Sequence, residues 1–142
     1  MRPYQNSQTK FNVALPSLLS LRDLLDDCNY YSRLCFHQGL NYEALKQWLY
    51  TLYAVRREIN TKLDKKKEKK PLQKMFDELS HTQKLFVTHN TKEGNATIIN
   101  PMVFQRKWHI MDRIDRTLRD LADKKGMLVP DEKSVLSEMD ES

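Results

Sequence analysis

Apolar residues return every three to four positions along most of this chain, and that period decides its fold class before any other feature. Leu18, Leu21, Leu25, Cys28, Tyr31 and Cys35 form a first stripe, opened by Pro16 and the capping-box-like Ser20-x-x-Asp23 and closed by Gly39. Asn41 caps a second helix whose seam runs through Leu45, Leu49, Leu52, Ile59 and Leu63 and fades into Asp64–Lys70. Pro71 restarts the chain as a third helix reaching about Asn90, with Leu72, Met75, Phe76, Leu79 and Phe86 inward. Thr91 to Ile99 then reads as the one long loop. Asn100-Pro101 opens a last helix along Phe104, Trp108, Met111, Ile114, Leu118 and Leu121, closed by Gly126, with Met127, Leu128 and Val129 folding back as an apolar clip.

These stripes predict an all-α fold, an antiparallel four-helix bundle running up-down-up-down over residues 16–129. A polar N-terminal arm occupies 1–15 and an acidic tail 130–142. A three-helix core, with the second and third helices fused, is the structural alternative. Three glycines and five prolines are too few for the turns of a sandwich or barrel. No apolar run approaches the ~20 residues that span a bilayer, and residues 1–10 lack the apolar stretch of a signal peptide. A reducing, cytoplasmic setting is therefore expected. Cys28 and Cys35 fit it: seven positions apart on one helix they lie roughly 10 Å apart, too far for a disulfide. The sequon Asn95-Ala96-Thr97 reads as chance in that compartment.

Chemical motifs do not gather. Glu78-x-x-His81 is half of a carboxylate-bridged di-iron signature, but no second pair accompanies it and both residues fall off the apolar face. Cys28, Cys35 and His37 match no zinc spacing. His109, among Arg106, Asp112, Arg113 and Arg116, sits on a convex charged helix face rather than in a cleft. With no Gly-rich phosphate loop and no grouped nucleophile and base, the chain reads as a non-enzyme with no metal, cofactor or small-molecule substrate.

Charge and excess apolar surface say more. Residues 1–126 carry 23 basic and 14 acidic side chains, net +9, while 127–142 carry one basic and five acidic, net −4. Leu19, Tyr30 and Leu34 form a second stripe on the first helix, and Tyr50 lies outside the apolar arc of the second, with Arg56 inside it. Two-sided helices imply contact with a protein partner or another copy. The expected function is thus a non-enzymatic interaction or assembly protein, self-associating as a homo-oligomer or serving as a small subunit of a larger complex. A structural or accessory subunit of a virus particle is one such context.

The alternative is nucleic-acid binding. Leu34, Cys35, Gly39, Leu40, Leu45 and Trp48 fit the spacing of a helix-turn-helix, which would present Asn41, Tyr42, Lys46, Gln47 and Tyr50 outward. Lys62, Lys65, Lys66, Lys67, Lys69 and Lys70 could grip a phosphate backbone. Against that stands a plainer reading: lysines at the C-terminal end of a long helix also complement its dipole.

Overall fold

A computed structural model describes residues 20–128. The arm at 1–15, the tail at 130–142, the Pro16 opening, Leu18, Leu19 and Val129 lie outside these residues. Helix α1, Leu21–Leu34, starts where the Ser20 side chain accepts from the Asp23 N–H at 3.1 Å. Its exit runs through Gln38 and Gly39, both at positive φ (58° and 110°), and the Asn41 N–H returns to the Cys35 carbonyl at 2.8 Å. Asn41 then caps α2, Tyr42–Ile59, by accepting from the Ala44 N–H at 3.0 Å.

The second helix does not continue into the lysines. It ends at Ile59, tightens into a 3-10 turn at Asn60–Lys62, and buries Leu63. A new helical unit starts at Asp64, whose carboxylate accepts from the Lys67 N–H at 2.7 Å, while Glu68 reaches back to the Asp64 N–H at 2.7 Å. This reciprocal cap opens a π-helical turn, Lys65–Lys69, which runs directly into α3, Lys70–Ser80, with Pro71 in its first turn.

The chain departs most from expectation after Ser80. Ser80 Oγ bonds the Phe76 carbonyl, His81 Nδ1 lies 2.6 Å from the Asp77 carbonyl, and Thr82 Oγ1 bonds the Leu79 carbonyl. With three polar side chains taking up the last-turn carbonyls, α3 stops ten residues short of Asn90. Strands β1, Phe86–Thr91, and β2, Gly94–Ile99, follow as an antiparallel hairpin in register from Phe86↔Ile99 to Thr91↔Gly94. Gly94, at φ +127°, supplies the backbone that the two-residue turn needs. The all-α four-helix bundle is therefore corrected: four helices share the chain with a two-stranded antiparallel sheet, a mixed α and β fold dominated by helix. The residues taken for the end of a third helix and for a loop are β-branched on both sides of the turn (Val87, Thr88, Thr91; Thr97, Ile98, Ile99), which suits strands.

The Asn100 N–H bonds the Leu85 carbonyl at 2.8 Å, closing the hairpin's base, and the Asn100 side chain caps α4, Pro101–Lys124. This longest helix packs against the other three. Trp48, Leu52, Phe104, Ile114 and Leu118 are fully buried at the centre, and Met127 and Leu128, the two described residues of the expected clip, pack partly buried against the core. One buried polar group crosses this core. Asp115 accepts from Trp48 Nε1 at 2.8 Å and from Arg119 Nε at 2.5 Å, and Arg119 also donates to the Leu25 carbonyl and Asn29 Oδ1. Trp108, on the expected apolar stripe, is only half-buried and donates to the Ser32 carbonyl.

Candidate functional site

About three turns of α2 present Gln47, Tyr50, Ala54 and Arg57 at intervals of three and four, with Tyr53, Arg56 and, just past the helix, Asn60 flanking them. Opposite stands the π-helical turn and the start of α3. Between the two runs a groove of about 1140 Å³. Its floor includes the small buried Ala54, and its walls carry six cations: Arg56, Arg57, Lys65, Lys66, Lys69 and Lys70. Among the described residues no carboxylate lines it.

The phase of the turn produces that one-sided charge. In Lys65-Lys66-Lys67-Glu68-Lys69-Lys70 the single acid is turned inward and buried, where Lys125 Nζ lies 2.8 Å from Glu68 Oε1 and Lys124 Nζ 3.9 Å from Oε2. The Asp64 N–H, followed by the Lys125 ammonium, holds the Glu68 carboxyl below the usual carboxylate range. Glu68 thus stays ionised and faces away from the groove.

Arg56 is held in place rather than free. Its guanidinium carbon lies 4.1 Å from the Phe76 ring centroid and 5.3 Å from that of Tyr53, and it donates to Gln73 Oε1 at 3.3 Å. The two rings stack beneath it, 5.2 Å apart at 19°. An arginine in an apolar arc is explained by this cation–π stack, a contact of about 0.5–2 kcal/mol. Tyr50 lies at the groove's lip, 41% exposed, with Lys46 Nζ 6.0 Å from its centroid.

The lysines sit at the wrong end of a helix for the plain reading. Cations at a C-terminus are favoured by the dipole, but Lys65, Lys66 and Lys67 occupy the first turn of the helical unit that Asp64 opens, where the dipole disfavours them. Their charge is a cost to that helix, and packing does not account for it, since all three are exposed.

Of the residues singled out for nucleic acid, Gln47, Lys65, Lys66, Lys69 and Lys70 come together in the groove. Lys46 stands beside Tyr50, and Lys62 and Lys67 are exposed outside the lining. Asn41 is occupied as a helix cap and Tyr42 packs edge-on to Phe86 at 4.8 Å, so the presenting face of a helix-turn-helix is not assembled at these two positions. Sequence reasoning missed Arg57, Asn60, Tyr53 and Gln73; the spacing of 47, 50, 54 and 57 was the available signal.

The second stripe divides. Tyr30 is half-buried beside Tyr31, Leu34 is half-buried against the core, and Tyr50 belongs to the groove. Exposed apolar side chains appear at Phe36, just past α1, on the hairpin, where the cross-strand pair Val87 and Ile98 is open to solvent, and next to it at Met102. Glu78 pairs with Arg113 across α3 and α4, and His37 and His109 are exposed. Among the described residues no group of three or more His, Cys, Asp or Glu stands together to hold a metal ion, and no helix is long and apolar enough to cross a membrane. A scan of protein families, a search of curated proteins and a search of solved structures each return no match.

Proposed function

We propose that this chain binds the phosphodiester backbone of single-stranded nucleic acid in the groove between α2 and the Lys65–Lys69 turn. The observation that supports it is a concave surface with six cations and no carboxylate among the described residues, two of whose lysines, Lys65 and Lys66, are held against their helix dipole. A strand enters a concavity, whereas a duplex groove receives a convex helix. Tyr50 on the lip offers a face on which a base can stack, the usual sequence-tolerant partner of such a channel.

Fluorescence anisotropy with a labelled oligothymidylate tests this. Four to six neutralised phosphates predict that log K falls with log salt at a slope of about −3 to −4. Lys66→Ala should make that slope shallower, and Tyr50→Ala should weaken binding about tenfold without changing it. A chain that does not bind the oligonucleotide at low salt, whether or not it binds a duplex, ends the proposal.

A second reading, assembly with a further copy, is supported by the hairpin. All its residues but Ile99 are exposed, and a two-stranded ribbon on its own is marginal in water. Covering the Val87–Ile98 face in a dimer would relieve this. Sedimentation across a concentration series should then show an association that Ile98→Glu abolishes while far-UV circular dichroism is retained. A wild-type monomer at every concentration removes this reading.

A further inference from the structure

The groove has a candidate occupant of opposite charge in the same chain. Residues 129–142 carry Asp131, Glu132, Glu138, Asp140 and Glu141 against one lysine, Lys133. The chain passes behind the Lys65–Lys69 turn, on the side away from the groove, before it reaches them. Lys125 is bonded to Glu68, which belongs to the turn whose Lys65, Lys66 and Lys69 form one wall. Leu128, three residues on, is fixed by its carbonyl accepting from Arg22 at 3.1 Å. Fourteen residues reach at most roughly 45–50 Å, more than the breadth of a domain of this size.

We infer that the acidic segment Asp131–Glu141 docks in cis in the α2–α3 groove and competes there with nucleic acid. Five carboxylates against six cations are complementary in sign and nearly equal in number. Attachment at Leu128 gives the segment an effective concentration on the order of millimolar, so even a weak contact occupies the groove. An occupied groove excludes short or isolated strands and yields to long ones, which supply more phosphates in one molecule. The competition rests on the nucleic-acid reading above, whereas the docking rests on charge and reach alone.

The test keeps the two apart. In the full chain, Ser142→Cys accepts a spin label selectively, because both native thiols are buried. Burial pushes the Cys35 thiol up to about 12 and Cys28 well above its ordinary value, leaving little thiolate to react. Docking predicts paramagnetic broadening of the Lys65–Lys70 amides at low salt, reversed by about 0.5 M salt, where the Debye length is only a few ångströms. No broadening overturns the inference, and broadening that grows with protein concentration assigns the contact to a neighbouring copy and overturns the cis arrangement. Neutralising the segment (Asp131→Asn, Glu132→Gln, Glu138→Gln, Asp140→Asn, Glu141→Gln) should tighten oligothymidylate binding about five- to tenfold. The gain should vanish when Lys65 and Lys66 are Gln, which separates docking from the change in net charge. Equal affinities with and without the five carboxylates refute the competition. Broadening in a chain that binds no oligonucleotide supports the docking and refutes the nucleic-acid reading.

Discussion

Asp115→Ala is expected to destabilise this protein by roughly 3–4 kcal/mol, a large part of the ~5–15 kcal/mol that holds a domain together. The carboxylate is 6% exposed and joins three helices: it takes the Trp48 indole N–H from α2, ion-pairs with Arg119 on α4, and so orients that guanidinium toward the Leu25 carbonyl on α1. Removing it leaves a buried indole donor unmade and Arg119 without its countercharge. Urea denaturation followed by Trp fluorescence measures the loss. Asp115→Asn retains an acceptor for Trp48 and should lose less than half as much. A midpoint unchanged in Asp115→Ala would mean that water or a rotated Arg119 replaces the network, and that Trp48 is held by packing alone.

The largest functional effect is expected from reversing the groove wall. Lys65→Glu, Lys66→Glu and Lys70→Glu together should lower affinity for single-stranded nucleic acid at least ~100-fold at 50 mM salt, because three phosphate contacts become repulsions. The fold should not suffer. All three side chains are exposed, and at Lys65 and Lys66 glutamate is favoured over lysine, because these two lie in the first turn of a helical unit. Thermal stability equal to or above wild type, with binding lost, is the expected combination. Retained binding would place the nucleic-acid contact elsewhere.

Helix entries were the legible part of this fold. Ser20, Asn41 and Asn100 are capping residues in sequence and in structure, because a cap is a local contact between a side chain and an amide two or three residues away. The hairpin was not legible by the same logic. Leu79 and Phe86, seven apart, fit one helical face although Phe86 opens a strand, and the choice falls to Ser80, His81 and Thr82, whose side chains take the helix's own carbonyls. The groove was half legible. Its lysines were visible as a run, but a continuous second helix would have put them far from Arg56 and Arg57. The break at Ile59, set by the burial of Leu63 and the reciprocal cap of Asp64 and Glu68, brings the two cationic groups to face one another.

That reciprocal cap also determines how this segment tolerates change. Within Asp64–Lys70 each groove lysine can become arginine with its charge still in position, so composition is loosely constrained there. Length is not. Deleting one residue between Asp64 and Glu68 would turn every following position through about 100° until a new register formed, withdrawing Glu68 from Lys125 and carrying its carboxylate toward the cations it now avoids. The π-helical turn, where the Lys70 N–H bonds the Lys65 carbonyl, holds one residue more than an α-turn and stores the added position. The segment therefore behaves as a spacer with a counted number of residues, permissive to substitution and intolerant of single insertions or deletions.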